Sequence, residues 1–500
     1  MTKDSAIRKL DALDRELVLL SHISSTLVWD QDATPPAAKS GRGEQLGYLD
    51  ALIHNKATSG EMQEILTTLG ASADTPEGSD ELPEHTRAVV RQRYRALLKE
   101  GKLSSDFVHN FSVLTARAHE VWTEARACDD FSLYEPVLSD LVVFIREKAE
   151  RYGYENDPYD PLLDSFEPGM KTGEVAKLFD EMKKDLSQLL ERMRGREPVE
   201  DSFLYQSYGK ESLKEFNADV LKAMGFDRDR GIVGESTHPY TITLGTDDIR
   251  ITTRYTEKSV LSPIYSIIHE GGHALYEMGM SSASNRGTVL ANAPSLSFHE
   301  SQSRFWENII GRSFAFWQHF YPKFSSLFPS QLSGVSLEQF YKAVNKVSPT
   351  AIRVDADEVT YSLHIILRFS LERKLLTGEL EVKDLPQAWR EGMKELLGID
   401  ITNDREGVLQ DIHWSMGEFG YFPTYALGNL VGAQITNTLN SKIDVEDVVR
   451  TGDFEPIHTF LREHVYQKGA LYDPKPLLRQ LTGEDLKAHY FSDYLRKKYL

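Results

Sequence analysis

The chain has 500 residues, of which 40% are hydrophobic, and this is enough to bury a large core. It carries 76 acidic against 57 basic residues, a formal net charge of -19 at pH 7, so we expect neither nucleic acid nor an anionic membrane as a partner. The single cysteine, Cys128, excludes an intrachain disulfide and agrees with a reducing compartment.

The N-terminal segment is charged throughout, so we expect no signal peptide. No stretch approaches the ~20 consecutive apolar residues that a membrane-spanning helix needs. These two features predict a cytoplasmic protein.

Helical periodicity dominates the sequence from its start. Apolar residues recur at three- and four-residue steps, which describes one face of an α-helix, in six stretches. These stretches lie near 5–28, 85–100, 104–127 and 136–152, at 175–193 and at 363–371. The segment 70–84 is rich in Gly, Pro, Ser and acidic residues, and it predicts a mobile surface loop. We therefore predict a mainly α-helical protein.

One segment, 238–255, departs from the helical pattern because apolar and polar residues alternate in it. The alternating side chains are Tyr240, Ile242, Leu244, Ile249 and Ile251. Residues 245–247 supply turn chemistry between the two runs, so the segment predicts a β-hairpin. A strand next to a metal-binding helix can pair with an extended peptide, which makes the position of this hairpin informative.

The next predicted helix carries the pattern H-E-x-x-H. His269 and His273 are four residues apart, so their rings project from one helix face and can reach one ion at ~2.0–2.1 Å. Glu270 can take a proton from a water molecule that the metal acidifies. We expect Ser262 to cap this helix and Pro263 to occupy its first position.

The alternative is a helix whose two histidines are ordinary core or surface residues. Gly271 and Gly272 argue against it, because each glycine costs a helix ~1 kcal/mol relative to alanine. Two glycines in the middle of an apolar helix indicate that something approaches closely. The pattern therefore favours a metal site.

A third protein ligand is required if the fourth position is to hold water. Glu277 shares the face of the histidines, but it lies eight residues after His269, ~12 Å along the helix axis. One ion cannot span that distance and keep His273, so we exclude Glu277 as a ligand. A helix-end or supporting role is expected for it instead.

Glu300 is the leading candidate for the third ligand. It lies among polar residues within the otherwise apolar helical segment 295–312, where buried polar groups need partners. The simpler alternative is an ion pair between Glu300 and Arg304. Glu307 is a weaker third-ligand candidate.

Several motifs together resemble those of the carboxypeptidase Taq family of metallopeptidases, in the family's order and across essentially the whole chain. They read HPY (238–240), DIRIT (248–252), HEGGH (269–273), HESQ (299–302), IRVDAD (352–357) and GVLQDIHW (407–414). The segment WDQDATPP (29–36) also resembles the family's N-terminal region.

The resemblance implies a mainly α-helical enzyme with two lobes, a long deep groove, and a small β-hairpin or sheet beside the metal helix. We take residues 1–500 as a single catalytic domain. Members of the family remove C-terminal residues from peptides with broad specificity and are usually homodimers. One divalent metal per chain is implied, with zinc as the usual assumption and cobalt active in some members. From the ligand types alone, zinc, cobalt and manganese all stay open.

A carboxypeptidase must recognise the free carboxylate of its substrate, and the planar guanidinium of arginine suits that task. Arg353 in the IRVDAD motif is our first candidate, with an ion pair to Asp357 as the structural alternative. Arg250 and Arg254 in the hairpin are reserve candidates. His238 is predicted either to contact substrate or to form a structural hydrogen bond.

The GVLQDIHW motif places Gln410 and His413 three residues apart, where they can contact the substrate or orient a metal ligand. An ordinary buried polar network is the alternative. A tyrosine hydroxyl near the metal would stabilise the oxyanion that forms during hydrolysis. Tyr421 and Tyr425 are both candidates, and packing in an aromatic core is the alternative for each.

The predicted reaction is hydrolysis of a C-terminal peptide bond with Glu270 as the general base. The first rival is an endo-acting oligopeptidase on the same scaffold, which would not require a free C-terminus. The second rival is a non-catalytic peptide-binding protein, and an intact Glu270 argues against it.

Overall fold

Helices account for most of the chain in a computed structural model that describes residues 1–30, 35, 38–256, 259–282 and 284–500. The helices of the first half are α1 (Lys3–Asp30), α2 (Lys39–Ala57), α3 (Gly60–Thr68), α4 (Glu84–Glu100), α5 (Ser105–Cys128), α6 (Phe131–Tyr152), α7 (Asp160–Leu163), α8 (Thr172–Met193), α9 (Lys210–Met224) and α10 (Leu261–Met280). The predicted mainly α-helical class is confirmed.

The second half continues the helical pattern. Its α-helices are α11 (Leu296–Arg304), α12 (Phe314–Leu327), α13 (Leu337–Val344), α14 (Tyr361–Thr377), α15 (Leu385–Leu397), α16 (Pro423–Asn440), α17 (Val445–Thr451), α18 (Glu455–His464), α19 (Pro474–Thr482) and α20 (His489–Tyr499). A π-helix, Phe305–Ile310, follows α11 directly. Short 3₁₀ helices occupy Ser202–Tyr205, Arg353–Asp355, Val382–Asp384, His413–Met416 and Tyr466–Leu471.

The loop predicted at 70–84 joins α3 to α4, which begins at Glu84. The loop is closed by a hydrogen bond from the Ser79 N–H to the Leu69 carbonyl oxygen. Ala71 and Leu82 within it are buried. Much of the segment is polar as predicted, but these two side chains fix it to the core.

The hairpin predicted at 238–255 is present as β2 (Thr241–Gly245) and β3 (Asp248–Thr253), which pair antiparallel. A further strand, β1 (Gly231–Glu235), pairs parallel to β3 and gives the strand order β1-β3-β2. The sequence did not predict β1, because two of its five residues are glycines, which weaken a strand signal. In this sheet β2 is an edge strand.

Helices cover both faces of the sheet. Thr241 of β2 donates from its hydroxyl to Glu270 of α10, so this face of β2 packs on the helix that carries the histidines. On the opposite face, the ring of Trp29 in α1 lies 5.8 Å from the ring of Tyr240 and 5.2 Å from the Arg250 guanidinium. The sheet is therefore held between α1 and α10.

The apolar core divides into two large clusters and one smaller cluster. Helix α16 contributes to both large clusters, with Leu427 and Leu430 in the first and Ile435 and Leu439 in the second. The small cluster lies under α1, α3 and α4. Two large cores joined by one buried helix agree with the two lobes that the family resemblance implies.

The start of α10 differs from the predicted positions of Ser262 and Pro263. Ser262 does not cap α10, because the helix begins one residue earlier, at Leu261, and the Ser259 hydroxyl accepts a hydrogen bond from the Leu261 N–H. Pro263 occupies the third helical position, where an N–H would have no intrahelical acceptor in any case. Within the described ranges, no helix combines the length and apolarity needed to cross a bilayer.

Candidate metal centre

The two histidines of α10 and the carboxylate of Glu300 in α11 point at one another. His269 Nε2 lies 3.7 Å and His273 Nε2 lies 3.4 Å from Glu300 Oε2. The three potential ligand atoms all lie within 4.8 Å of one another. Among the described residues, this is the one such group of three or more His, Cys, Asp or Glu side chains.

This geometry fits a divalent cation. Metal–ligand bonds of ~2.1 Å at tetrahedral angles place neighbouring ligand atoms ~3.4 Å apart, close to the distances found here. Two imidazoles and one carboxylate are a donor set that zinc, cobalt and manganese accept. His269, His273 and Glu300 are therefore suited to hold one ion and to leave a position for water. We refer to these three residues as the ligand cluster.

Two glycines allow α11 to approach closely enough for this arrangement. A Cβ atom on Gly272 would lie 2.7 Å from the Gln302 carbonyl oxygen and 2.8 Å from Ser303 Cα. A Cβ atom on Gly428 of α16 would lie 2.7 Å from Glu300 Cγ. The close approach expected at Gly272 is present, and the approaching group is the backbone of the helix that carries Glu300.

The two oxygens of the Glu300 carboxylate have different partners, and Oε2 also accepts a hydrogen bond from the Ser303 hydroxyl at 3.1 Å. Oε2 faces the histidines, while Oε1 accepts a hydrogen bond from Arg304 Nε at 2.6 Å. The ion pair with Arg304 therefore occurs together with the ligand geometry and does not replace it. Arg304 also reaches Glu307 Oε2 at 3.3 Å, so one guanidinium connects both carboxylates.

Glu307 supports His269 from the other side of its ring. Its Oε2 lies 2.8 Å from His269 Nδ1, so Nδ1 carries the proton and Nε2 presents its lone pair to the ligand cluster. Glu307 belongs to the π-helix, a form that often occurs at functional sites. The geometry makes Glu307 an orienting partner of His269 and not the third ligand.

Glu277 also has a supporting position, in agreement with its exclusion as a ligand. Its carboxylate accepts hydrogen bonds from His299 Nε2 at 2.6 Å and from the Thr243 hydroxyl at 2.8 Å. The His299 ring stacks on the ring of His273 at a centroid distance of 4.4 Å. Glu277 therefore acts on the ligand cluster through His299.

The electrostatics of the cluster favour the ligand forms of Glu300 and His273. Burial opposes ionisation of Glu300, but Arg304 and then His269 outweigh it and hold the pKa of this carboxyl well below its usual range. Burial and then the neighbouring His299 lower the pKa of His273 to about 3. An ionised carboxylate and a neutral imidazole are the ligand forms of these two groups. Burial acts to lower the pKa of His269, but Glu300 and then Glu307 outweigh it and raise this pKa, so His269 must lose a proton to bind a metal.

Glu270 lies beside the cluster with the environment of a general base. Its side chain is buried, and Oε2 accepts a hydrogen bond from the Thr241 hydroxyl at 2.6 Å. Burial raises the pKa of this carboxyl, while His269 and Thr241 act in the opposite direction. Thr241 was not predicted as a site residue, although its place directly after the HPY motif was a usable signal.

The two candidate tyrosines lie together at the start of α16. Their ring centroids are 5.3 Å apart, and the Tyr425 hydroxyl lies 3.1 Å from His413 Nε2. Burial and then the charge of Glu300 raise the pKa of Tyr421 to about 12. Tyr421 therefore remains protonated and able to donate near neutral pH, and the charge of Glu300 acts on its hydroxyl.

Arg353 is buried and held by Asp411 rather than by Asp357. Its Nε and Nη2 donate to Asp411 Oδ1 at 3.0 and 2.8 Å, and its Nη1 donates to the Tyr361 hydroxyl at 2.9 Å. The guanidinium carbon lies 5.0 Å from the centre of the Tyr425 ring. The alternative pair does not form, because Asp357 accepts hydrogen bonds from backbone N–H groups.

Gln410 and Asp411 form a buried polar network with a second arginine that the sequence analysis missed. Gln410 Oε1 accepts from the Arg353 N–H and from Arg368 Nη2, both at 2.8 Å, and Asp411 Oδ2 accepts from Arg368 Nε at 2.6 Å. Arg368 is fully buried in α14, and its place between the apolar residues Leu367 and Phe369 was the available signal. Burial lowers the pKa of His413 to about 3, so this ring is neutral.

The remaining predicted residues lie on the hairpin. The described contacts of Arg250 are with Asp248 at 2.8 Å and with the face of Trp29. His238 and Arg254 are exposed, and Arg254 contacts the Thr237 carbonyl oxygen. The structure does not bring these three into the described contacts of the ligand cluster. Of the motif at 29–36, residues 31–34 and 36 lie outside the described residues.

Comparisons with known proteins point to one family. The chain matches the carboxypeptidase Taq (M32) metallopeptidase family over residues 9–499. It is 37% identical to carboxypeptidase 1 of Bacillus subtilis over 487 residues, 96% of each protein. It is 38% identical to thermostable carboxypeptidase 1 of Pyrococcus furiosus over 505 residues, 100% of this chain and 99% of that one. The crystal structure of an M32 carboxypeptidase from Deinococcus radiodurans superposes with a TM-score of 0.94 at 34% identity and covers 99% of each chain.

Proposed function

The chain belongs to the carboxypeptidase Taq (M32) family of metallopeptidases, and from that membership we propose which of its residues carry out the hydrolysis. The activity itself follows from the family: the protein is a metal-dependent carboxypeptidase that removes C-terminal residues from peptides. The observation that supports the assignment of residues is the convergence of three ligand atoms from α10 and α11.

His269, His273 and Glu300 hold one divalent metal, for which zinc is our first choice. When bound, such an ion lowers the pKa of a water molecule towards neutrality and polarises the scissile carbonyl group. Arg304 and Glu307 orient Glu300 and His269 from outside the ligand shell. Cobalt and manganese suit the same donors, so the native ion is decided by analysis of the purified protein.

Glu270 takes the proton of the attacking water and later gives it to the leaving amine. Its raised pKa brings its basicity closer to neutral pH, which is favourable for a group that must both accept and return a proton. The hydrogen bond from Thr241 fixes one carboxylate oxygen and leaves the other for the water molecule.

Tyr421 donates a hydrogen bond to the oxygen that becomes negatively charged during the reaction. We prefer it to Tyr425, because the Tyr425 hydroxyl is engaged by His413. Tyr425 has the supporting role of packing against the guanidinium of Arg353 and the ring of Tyr421. A hydrogen-bond donor of this kind typically contributes a factor of ~10²–10³ to kcat.

Arg353 binds the terminal carboxylate of the peptide and thereby determines which bond is cleaved. Three of its five N–H groups bond to Asp411 and Tyr361 in the described structure, and one N–H on each of Nη1 and Nη2 remains for a ligand. Asp411 and Gln410 hold the arginine in place. A fixed guanidinium loses little freedom on binding, which favours selective recognition.

The upstream part of the peptide pairs with the edge strand β2. Tyr240 bonds to β3 through its carbonyl oxygen, so the alternation of an antiparallel pair directs the backbone groups of Thr241 and Thr243 to the open edge. The Thr241 hydroxyl contacts Glu270, so a peptide on this edge passes beside the general base. Pairing of this kind uses backbone groups and supports broad specificity.

Peptides with free and amidated C-termini, followed by mass spectrometry, test the assignment. We expect stepwise trimming of the free peptide and little cleavage of the amidated one, since Arg353 requires a carboxylate. Arg353→Ala should raise KM for the free peptide and leave the slow reaction of the amide unchanged. Equal cleavage of both peptides by the parent enzyme would instead support an endo-acting oligopeptidase.

Glu270→Gln tests the general base in the same assay. The change keeps size and packing but removes the basic oxygen, so kcat should fall by a factor of ~10²–10⁴ while the bound metal stays at one ion per chain. Metal content measured on the same sample separates loss of the base from loss of the ion. Parental activity of the variant would show that another group accepts the proton.

The chain forms a single catalytic domain of residues 1–500, acts as a homodimer and works in the cytoplasm. The first statement is supported by α16, which joins both large cores. The dimer is an expectation from the family resemblance, and the location is supported by the single cysteine. Light scattering after gel filtration tests the dimer directly.

A further inference from the structure

A buried carboxylate outside the ligand cluster joins α11, which carries Glu300, to the start of α16, beside the two candidate tyrosines. Glu167 follows α7 and is 1% exposed. Its Oε1 accepts hydrogen bonds from the Ser297 N–H at 2.7 Å and from the Thr424 hydroxyl at 3.0 Å. Its Oε2 accepts from the Ser297 hydroxyl at 2.5 Å.

The partners of Glu167 lie in the first turns of α11 and α16. Ser297 precedes the metal ligand Glu300 by three residues on the same helix. Thr424 lies next to Tyr425 and three residues after Tyr421. One carboxylate therefore bonds to both the ligand helix and the tyrosine segment.

The neighbouring residue, Phe166, makes the same two connections by other means. Its carbonyl oxygen accepts a hydrogen bond from the Leu296 N–H at 3.0 Å, at the start of α11. Its ring packs edge-on against Tyr421 at a centroid distance of 5.1 Å. Residues 166 and 167 therefore each contact both α11 and the segment at the start of α16 that contains the two tyrosines.

Burying the carboxyl group of Glu167 costs more free energy than burying a side chain that only fills space. Every described hydrogen bond to it comes from a neutral donor, and burial raises the pKa of this carboxyl to about 7. A buried ionisable group without a cationic partner costs free energy, which an apolar or amide side chain would avoid. The two helix N-termini that face it offset part of this cost.

We propose that Glu167 is a positioning residue that fixes α11, with Glu300, relative to Tyr421 and Tyr425 on the α16 side. This proposal rests on the roles proposed above for Glu300 and the tyrosines. Glu167 touches neither the metal ligands nor the tyrosine hydroxyls in the described contacts. It acts through the helices, and a displacement of ~1 Å at reacting groups can cost ~10²-fold in rate.

Glu167→Gln is the first test, because the amide keeps the size of the side chain but replaces one acceptor oxygen with an N–H₂ group. That group then faces either the Ser297 N–H and the Thr424 hydroxyl or the Ser297 hydroxyl. Glu372→Gln is the matched control. Glu372 is equally buried and its pKa is raised to about 7, but its donors are Tyr159, Trp414 and Gly420, none of them on α11. For each variant we would measure metal affinity by chelator competition, kcat, KM and the unfolding midpoint.

Glu167→Gln should weaken metal affinity by a factor of ~10 and lower kcat by a factor of ~10 or more, with KM changed less than about twofold. Glu372→Gln should shift the unfolding midpoint but keep parental metal affinity. Equal metal affinity in Glu167→Gln and the parent would overturn the proposal. So would an equal loss of affinity in both variants, which would indicate only a general loss of stability.

Thr424→Val and Ser297→Ala separate the two connections, and they stay informative if Glu167→Gln fails to fold. Thr424→Val should lower kcat and keep metal affinity, while Ser297→Ala should weaken metal binding. Parental values for both variants would contradict the proposal. In a double variant with Glu167→Ala, the effect of Thr424→Val on kcat should disappear, because alanine has no acceptor for the Thr424 hydroxyl.

Glu300→Ala distinguishes failure of this proposal from failure of the proposed ligand set. If Glu300→Ala binds metal as tightly as the parent, the ligand assignment is wrong. If it loses the metal while Glu167→Gln behaves as the parent, the ligand set stands and only the positioning role fails.

Discussion

At the scale of single residues, the metal centre shows how one side chain can satisfy two interpretations. Glu300 was predicted to bind a metal, with an ion pair to Arg304 as the simpler alternative. The structure divides the two functions between the carboxylate oxygens, with Oε1 on Arg304 and Oε2 facing the histidines. A buried carboxylate has several acceptor positions, so a structural ion pair does not exclude ligation.

Glu307→Gln is expected to weaken metal binding by a factor of ~10–100 and to leave substrate KM nearly unchanged. The carboxylate on His269 Nδ1 fixes the ring and increases the basicity of Nε2, whereas an amide oxygen is a weaker acceptor. Chelator competition gives the affinity. Glu277→Gln is the matched control, because the Glu277 carboxylate is hydrogen-bonded to His299 and to none of the three cluster residues, so its effect should be smaller. The reverse order of the two effects would contradict the orienting role of Glu307.

At the scale of elements, the chain's last helix supports the π-helix that carries Glu307. The Asn308 carbonyl oxygen accepts hydrogen bonds from the Tyr494 hydroxyl at 3.1 Å and from Lys498 Nζ at 3.4 Å. A π-helix departs from the regular i to i−4 pattern, and α20 supplies these donors to one of its carbonyl groups. Lys498 also pairs with buried Glu358 at 2.7 Å.

Lys498→Met is expected to lower the free energy of unfolding by about 3–5 kcal/mol, because it leaves the charge of Glu358 buried and less compensated. Urea denaturation measures the change. Adding Glu358→Gln to this variant should restore part of the loss, since the unpaired charge is then removed. Lys497→Met, at the exposed neighbouring position, should stay within about 0.5 kcal/mol of the parent. A similar small effect of Lys498→Met would show that the pair is not important for stability.

At the scale of the whole molecule, one buried carboxylate couples folding to pH. Burial raises the pKa of Glu372 from 4.5 to about 7, against the hydrogen bonds that favour its charged form. The folded state therefore binds this proton more tightly than the unfolded state. The stability that Glu372 contributes is fully present below pH 4.5 and is lost as the pH rises through about 7.

Glu372→Gln should remove this pH dependence, because an amide does not titrate. From pH 5 to pH 8, the free energy of unfolding of the parent should fall relative to that of the variant by up to about 3 kcal/mol. Urea titrations at both pH values measure the difference. The exposed Glu64→Gln variant should follow the parent at both values. A constant difference between Glu372→Gln and the parent would contradict the raised pKa.

Local sequence patterns were sufficient to predict the features that depend on nearby residues. The helical class follows from three- and four-residue apolar steps, and the hairpin follows from alternation around a turn. The shared face of His269 and His273 follows from their spacing, and the geometry of a helix was sufficient to exclude Glu277. These inferences need only the repeat of a regular backbone.

The contacts between residues of distant segments became visible only in the folded chain. Glu307 lies 38 residues from His269, Asp411 lies 58 residues from Arg353, and Glu167 lies 130 residues from Ser297. Backbone periodicity carries no information about such pairs, because they depend on how helices pack. The packing in turn depends on contacts such as the close approach of α11 at Gly272, which the sequence indicated without showing what approaches. The residues proposed as metal ligands could therefore be predicted from the sequence, whereas the groups that contact them from distant segments could not.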